Sequence, residues 1–268
     1  MTRIMLKADT LNQENRRFEQ QPLRNPVFLN SLPESGSHLL RNIVRMFVPV
    51  SQQYQKQFVQ HKNMNAHLAA FDPNFPLLSW GHLPFSDAAG VAVSGLNKIL
   101  LVRDPYSWVL ARARFFVSDE VQGDDYQLIK SGKLNVDEIM NLMIFGIHGH
   151  APSLLEMYTH HIVSWLGTGV YLIRYEELIR HVQEIGSAAA TQYFGNLFEA
   201  CGIAVPNDWD QRVTIGADPS QSGTARGNLT IKAVSFPHEL PALQRRLVDY
   251  AAPGLRNILG YTDCDHGR

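Results

Sequence analysis

A run of small and hydroxyl-bearing residues, Pro33-Glu34-Ser35-Gly36-Ser37, carries groups that could bind an anion. It follows an apolar run at residues 26–31 and precedes apolar residues at helical spacing, which are Leu39, Leu40, Ile43, Val44 and Phe47. A strand, a short loop and a helix place unpaired amides and the positive end of a helix dipole at the loop. Gly36 lets the backbone approach a phosphate closely, and Ser35 and Ser37 offer hydroxyl donors. The stretch therefore predicts a phosphate cradle.

Two other interpretations of this loop stay open on the residues alone. An ordinary strand-to-helix turn capped by Ser35 or Ser37 has the same composition. A phosphotransferase that uses a nucleoside triphosphate is disfavoured, because the loop has no lysine and lacks the pattern G-x-x-x-x-G-K-S/T. The chain also shows no evident pair of carboxylates for Mg²⁺.

Elements that could position the loop are visible as four short apolar runs, which predict buried strands at residues 26–31, 77–82, 98–103 and 170–174. Helical patterns separate these runs, with Asp104 and Pro105 as the N-cap and first residue of one helix. The alternation predicts an α/β fold, a single domain with a central parallel sheet flanked by helices. Ligands of such sheets bind at the carboxyl ends of strands. Ser35, His82, Arg103 and Tyr175 follow or finish these strands, so we expect them at one edge.

Composition limits the functional classes. The chain has 268 residues, of which 45% are hydrophobic, enough for one sizeable domain. The net charge of −1 does not indicate a broad surface for nucleic acid. Cys201 and Cys264 form no disulfide framework, so a reducing cytoplasm fits best. We expect no signal peptide, and no run of about 18 apolar residues predicts a membrane span.

The segments outside the predicted strands are assigned more coarsely. We expect an N-terminal arm at residues 1–25, a domain at 26–261 and a tail at 262–268. Residues 51–76 are interpreted as a helix plus an irregular connection. Residues 118–134 predict a mobile loop, and 206–238 a long functional or disordered loop. Helices are predicted near residues 136–147, 152–166, 188–201, 239–250 and 253–259.

The motifs at the strand ends, taken in order, resemble those of the sulfotransferases that use 3′-phosphoadenosine 5′-phosphosulfate (PAPS). Pro33-Glu-Ser-Gly-Ser37 is similar to the family's P-K-S-G-T loop, and Gly81-His-Leu-Pro84 to its T-H-L-P segment. Arg103-Asp-Pro-Tyr-Ser107 resembles the start of R-x-P-x-D-x-x-x-S. Leu172-Ile-Arg-Tyr-Glu-Glu-Leu178 resembles L-x-x-Y-E-D-L, and Leu259-Gly-Tyr261 is common at the family's end. The match covers roughly residues 26 to 261.

The resemblance implies a P-loop-like phosphosulfate-binding loop and a role for each matched position. Ser35, Gly36, Ser37 and His38 would hold the 5′-phosphosulfate, and Arg103 would hold the 3′-phosphate. Tyr175 would lie beside the adenine, and His82 would be the general base. The C-terminal R-K-G loop is not clear in this chain; Arg226 with Gly227 is the first candidate and Arg212 the other. No metal is implied.

The chain departs from the family at several of these positions. Glu34 stands where the family usually has Lys or Arg, and Trp80 stands where many small-molecule members have a second Lys. Leu39 replaces an adenine-stacking Trp, and Ala111 replaces a 3′-phosphate Ser, a loss that Arg112 or Arg114 could compensate. The Glu34 carboxylate could turn outward, pair with a cation or serve as an alternative base; the first two are favoured. Arg41, Arg45 or Arg24 could supply the missing positive charge.

Other histidines leave alternatives open. His148, His150, His160 and His161 could face an acceptor pocket. The His148-Gly-His150 pair also suggests zinc, but no further ligand completes a recognisable set, and solvated histidines of a loop are the favoured interpretation.

The sequence therefore predicts a sulfotransferase that moves a sulfuryl group from PAPS to a hydroxyl or amine of a small molecule or sugar. The donor would leave as 3′,5′-adenosine bisphosphate (PAP). The alternative is a non-catalytic nucleotide- or ligand-binding module on the same scaffold. Expected partners are the donor and the acceptor, with no nucleic acid. The acceptor's identity and the oligomeric state stay open.

Overall fold

A computed structural model gives the structure of the chain and describes residues 3–4, 8–56, 58–119, 121–122, 127–222 and 234–261. The described residues fall into two compact units. The first unit takes residues 8–102 and 160–222, and the second takes residues 3–4, 103–159 and 234–261.

The strands and helices alternate along much of the chain, as the sequence predicts. The strands are β1 Arg3–Ile4, β2 Val27–Ser31, β3 Val59–Gln60, β4 Leu78–His82, β5 Asn97–Val102, β6 Val121–Gln122 and β7 Tyr171–Arg174. The α-helices are α1 Leu11–Asn15, α2 Ser37–Arg45, α3 Asp87–Ala92, α4 Pro105–Val117, α5 Gln127–Lys130, α6 Val136–Phe145, α7 Leu154–His161, α8 Tyr175–Gln183, α9 Ala188–Ala200, α10 Trp209–Ala217, α11 Ala242–Ala251 and α12 Leu255–Ile258. Short 3₁₀ segments are Val50–Gln52, His61–Phe71, Val163–Trp165 and Pro219–Gln221.

The sheet of the first unit has five parallel strands in the order β3-β4-β2-β5-β7. The predicted α/β class with a central parallel sheet flanked by helices is thereby confirmed. Strand β2 lies at the centre of the sheet. All of its residues are buried, as expected of a strand that is covered on both faces. The chain leaves β2 to build β4 on one side and then β5 on the other. The carboxyl end of β2 is therefore the switch point, where α/β sheets bind ligands.

Apolar side chains attach the helices to this sheet. On one face the inward residues of the strands pack with buried residues of α2, α8, α9 and α10. On the other face Phe28 of β2 meets Phe71 of the 3₁₀ segment, with the two ring centroids 5.2 Å apart at a steep angle. This packing of side chains on both faces of the sheet holds β2 and α2 in place, and it therefore fixes the position of the loop between them.

The second unit is built on α4, α6 and α11. Asp104 caps α4 as expected, since its carboxylate accepts a hydrogen bond from the Tyr106 amide at 2.9 Å. The same buried carboxylate pairs with Arg256 at 3.1 Å. The Tyr106 hydroxyl donates to Asp249 at 2.8 Å, which ties α4 to α11. No helix among the described residues has the length and apolarity needed to cross a bilayer.

Three coarse expectations differ from the structure. Residues 51–76 contain the edge strand β3 and 3₁₀ segments rather than an α-helix. Helix α10 forms within 206–238, where no helix was expected, because Val213 is buried in the core cluster and Trp209 packs against it. Within 118–134, β6 pairs with β1 and α5 follows. The proposed domain boundaries at residues 26 and 261 stay predictions.

A close backbone contact fixes the edge of the sheet. A Cβ added at Gly81 in β4 would lie 2.1 Å from the Val59 carbonyl oxygen of β3, whereas one added at Gly195 in α9 would meet nothing within 4 Å. We expect Gly81→Ala to lower the free energy of unfolding by about 1–3 kcal/mol, as overpacking does. Gly195→Ala should be neutral or raise it by about 0.5–1 kcal/mol, because alanine favours a helix. Urea unfolding of both variants measures the difference; equal effects would mean that β3 does not lie against Gly81.

Candidate active site

The loop that follows β2 is bent by two residues with positive φ. Glu34 has φ 61° and Gly36 has φ 95°. Among the described residues, Glu34 is the only one other than glycine that adopts a left-handed backbone. A non-glycine residue in that region is uncommon and is often found at functional sites. Gly36 then precedes α2 as its N-cap residue.

Among the described residues, no side chain caps the start of α2. The Gly36 carbonyl accepts from the amides of Leu39 and Leu40 at 3.0 and 3.3 Å. Within the described residues no acceptor bonds the amides of Ser37 and His38, and no side chain caps the helix. The Ser35 hydroxyl donates to the Leu32 carbonyl at 2.5 Å, so it closes the loop. The Ser37 hydroxyl is the one left to reach an anion.

Tyr175 lies against this loop although β5 separates its strand from β2. It is the first residue of α8, directly after β7. A Cβ on Gly36 would lie 2.4 and 2.5 Å from the Cδ2 and Cε2 atoms of the Tyr175 ring. The ring therefore packs on the Gly36 backbone, and the structure brings these two predicted site residues together.

His82, at the end of β4, has a defined orientation. Its Nδ1 lies 3.0 Å from the Ser31 carbonyl oxygen and 3.0 Å from the Ser31 hydroxyl, and that hydroxyl lies 3.3 Å from the Gly81 carbonyl oxygen. A carbonyl can only accept, so Nδ1 carries the proton and donates it. The Ser31 hydroxyl is then free to donate to Gly81. The Nε2 atom of the neutral ring keeps its lone pair, which is what a general base needs.

Burial keeps this imidazole neutral. It lowers the pKa of His82 to about 4, although the bond to the Ser31 carbonyl works in the opposite direction. Burial, with the charge of Arg41, also lowers the pKa of His38 to about 4. Both rings are therefore uncharged at neutral pH and can accept a proton without first losing one.

An aromatic cluster lies beside His82. The Phe58 ring is 5.4 Å from the His82 ring and 5.6 Å from the Trp80 ring, centroid to centroid. The Trp80 ring is also 5.1 Å from the His38 ring. The Arg41 guanidinium stacks over Trp80, with its central carbon 4.4 Å from the ring centroid. We call Phe58, Trp80, His38 and Arg41 the Trp80 cluster.

The remaining histidines differ in exposure. His148, His150 and His160 are exposed. His161 is partly buried and its Nδ1 has no partner among the described residues. Burial, then the charges of His82 and His160, lowers the pKa of His161 to about 4. No group of three or more His, Cys, Asp or Glu side chains that could hold a metal ion occurs in the described part of the chain.

Arg103 opens the second unit directly after β5. Its Nε donates to the Ser107 hydroxyl at 3.0 Å, and its carbonyl accepts from the Tyr158 hydroxyl at 2.7 Å. The first turn of α4 thus orients this guanidinium.

The C-terminal candidates divide clearly. Arg226 and Gly227 lie outside the described residues. Arg212 is buried, pairs with Asp208 at 2.7 Å and donates to the carbonyls of Glu19 and Met46. Its guanidinium is committed to holding α10 to the N-terminal segment. Arg112 and Arg114, considered as replacements for a hydroxyl at Ala111, donate to the carbonyls of Met143 and Pro237.

Asn30 is the positioning residue that the sequence analysis did not identify. It is buried in β2, and its amide group donates to the Leu83 carbonyl at 3.0 Å and accepts from the Leu83 amide at 2.9 Å. The Trp165 indole donates to the same carbonyl at 2.9 Å. These bonds fix the backbone next to His82. A polar residue at the end of an otherwise apolar strand was the signal that could have revealed it.

Comparison with known proteins supports the fold. Neither a protein-family model nor a curated protein matches the chain. A crystal structure of a mouse sulfotransferase complexed with PAP matches with a TM-score of 0.57 at 15% identity, over 95% of this chain and 90% of that one. Retinol dehydratase in complex with androsterone and inactive cofactor PAP matches with a TM-score of 0.51 at 14% identity, over 90% and 83% of the two chains.

At sequence identities this low, the match concerns the course of the backbone and not the residues of the active site. The comparison therefore shows the fold alone, and the chain has the fold of the PAPS-dependent sulfotransferases.

Proposed function

We propose that the protein is a sulfotransferase, which transfers a sulfuryl group from PAPS to a hydroxyl or amine of a small molecule or sugar. The observation that carries this proposal is the neutral His82 ring, held through Nδ1 by the residue that precedes the anion loop. Its free Nε2 is the basic atom that deprotonation of an acceptor requires.

Most groups of the loop suit a phosphosulfate group, and one, the Glu34 carboxylate, does not. The unbonded amides of Ser37 and His38, the Ser37 hydroxyl and the cramped Gly36 backbone suit a phosphate oxygen. The loop carries Glu34 in place of a cation, and a carboxylate about 4 Å from a sulfuryl oxygen would cost about 4 kcal/mol at an effective dielectric of about 20. The residues fit the group if the Glu34 carboxylate is turned away or paired.

The donor supplies the sulfuryl group when bound and leaves as PAP. His82 accepts the acceptor's proton at Nε2 while the acceptor oxygen or nitrogen forms its bond to sulfur, and the ring later releases that proton to solvent. The loop amides and the α2 dipole stabilise the negative charge that returns to the phosphate. The Tyr175 ring packs against the Gly36 backbone, and by the family resemblance it would lie beside the adenine.

The other assignments come from the family resemblance. Arg103 would bind the 3′-phosphate through a charge-assisted bond worth about 1.5–3 kcal/mol, and Arg226 with Gly227 would complete that contact. A cytoplasmic location is proposed from the family resemblance and from the two cysteines, which form no disulfide framework.

The first test is direct. The protein incubated with PAPS and a panel of phenols, alcohols, amines and sugars should release PAP and form a sulfated product identified by mass spectrometry. Tight calorimetric binding of PAP without transfer to any acceptor would favour the non-catalytic module. Absence of PAP binding would contradict both.

His82 can be tested by substitution. We expect His82→Gln to lower kcat by about 10²–10⁴-fold, the range that general acid–base catalysis supplies. The Kd for PAP should stay within about threefold, because the ring is assigned to the acceptor side. His160→Gln, an exposed histidine in the same unit, should leave both unchanged. Full turnover in His82→Gln would reject His82 as the base.

The loop can be tested with two glycines of nearly equal φ. Gly36 has φ 95° and Gly186 has φ 94°, but a Cβ on Gly186 would meet nothing within 4 Å. Alanine at either position should cost about 1–2 kcal/mol of stability, the penalty for left-handed backbone. Only Gly36→Ala also displaces the Tyr175 ring, so only it should raise the Kd for PAP, by more than about tenfold. Equal calorimetric affinities of the two variants would place PAP elsewhere.

A further inference from the structure

Arg41 is a cation whose role the proposed reaction does not explain. It lies one turn into α2, is partly buried and stacks over Trp80. Within the described residues no carboxylate or carbonyl accepts a hydrogen bond from its guanidinium. Burial, with the charge of Arg45, lowers the pKa of Arg41 to about 10. Buried charges in proteins are normally paired, so this one is suited to an anionic ligand.

The neighbouring charges do not neutralise it. Arg45 donates to Asp9 at 2.8 Å, to Asn12 at 2.7 Å and to Gln53 at 3.0 Å, which occupies all three of its nitrogens. Burial alone would raise the pKa of Asp9, but the bond to Arg45, with a contribution from Arg41, lowers it. Among the side chains that the structure describes here, two guanidinium groups therefore face one carboxylate, which leaves one positive charge.

A narrow cavity opens beside this cation. It is lined by Arg41, Arg45, Gln53, Tyr54, Leu78 and Trp80, and its enclosed part has room for about one water-sized group. The Tyr54 hydroxyl is engaged with His67 at 2.7 Å, and Gln53 donates to two carbonyls. The cavity can thus take the end of an oxyanion group, while the body of a ligand lies outside it.

The Trp80 cluster connects this cavity to His82. Trp80 and His82 are two residues apart in β4, so they point to the same face of the sheet with Cα atoms about 7 Å apart. Phe58 lies against both rings. A molecule that covers Phe58 and the Trp80 edge would place one end at Nε2 of His82 and the other at the cavity.

We infer that Arg41 binds the carboxylate of the acceptor, so that the preferred acceptors are hydroxylated carboxylic acids with an apolar spacer between the two groups. A guanidinium matches a carboxylate with two parallel hydrogen bonds, and Trp80 holds it in place. This inference rests on the proposed function for the transfer step, but carboxylate binding can be tested without it.

The kinetic test uses matched acceptors. With PAPS as donor, 3-(4-hydroxyphenyl)propanoate should be sulfated with a kcat/KM at least about tenfold above that of its amide, the effect of one hydrogen bond to a charged group. In Arg41→Gln the ratio of acid to amide should fall to about one, and Arg41→Lys should keep part of it. Arg16→Gln, which removes an exposed arginine from the same unit, should leave the ratio unchanged. An equal preference in the wild type and in Arg41→Gln would overturn the inference while leaving the sulfotransferase proposal intact.

A binding measurement separates the two proposals. 3-Phenylpropanoate has no hydroxyl to sulfate, so its calorimetric binding does not depend on transfer. We expect it to bind the wild type with or without saturating PAP, and to bind Arg41→Gln at least about tenfold more weakly. Such binding in a protein that sulfates nothing would support the carboxylate site and reject the sulfotransferase proposal. Failure to bind, or displacement by PAP, would overturn the inference, the latter because Arg41 would then serve the nucleotide loop. Thermal melting checks that Arg41→Gln is folded.

Discussion

The connection between the carboxyl ends of β2 and β4 is the constraint on which the rest of the site depends. Asn30 bonds both backbone groups of Leu83, and the next residue, Ser31, bonds the His82 ring. Parallel strands place their ends at one edge but do not orient side chains there. These bonds do, and because the two bonds of Asn30 are buried, breaking either of them would leave an unsatisfied group costing about 1–3 kcal/mol. The His82 ring and the loop after β2 are thus joined through two consecutive residues, Asn30 and Ser31.

Electrostatics distinguish this site from one built on lysines. The described part of the loop offers amides, a hydroxyl and a helix dipole, and the two imidazoles beside it are neutral. Arg41 lies one turn away and stacks over Trp80, and among the described residues no carboxylate or carbonyl accepts a hydrogen bond from its guanidinium. A sulfuryl group would therefore be held mainly by dipoles fixed in advance, whose effect is largest where water is excluded. The left-handed conformation of Glu34 sets the direction of the loop and, with it, that of the one carboxylate in this segment.

The parts of the fold that could be predicted from the sequence are those with a pattern in neighbouring residues. The four strands of more than two residues in the sheet were predicted within about one residue, because each is a short apolar run that ends at turn residues or at the start of a helix. Strand β3 was missed because two residues beside a Gln- and Asn-rich stretch carry no periodic signal. Helix α10 was missed because its start, near Pro206 and Asp208, has the composition of a loop.

The site shows the same division. His82, Tyr175 and the loop were predicted from their places after strands, and the structure brings them to one edge of the sheet. The pairing of Arg45 with Asp9 and the stacking of Arg41 on Trp80 join residues that are distant in the chain. A single sequence contains no local signal for such contacts.

The most direct test of the account is the protonation state of His82. Nitrogen-15 spectra of the histidine rings, with His82 assigned by its loss in His82→Gln, report the tautomer and the titration together. Because burial lowers the pKa of His82 to about 4, the account predicts a neutral ring with the proton on Nδ1 and an unprotonated Nε2 from pH 7.5 down to about pH 5. A ring that becomes imidazolium near its ordinary pKa of about 6.5, or one that carries its proton on Nε2, would contradict it.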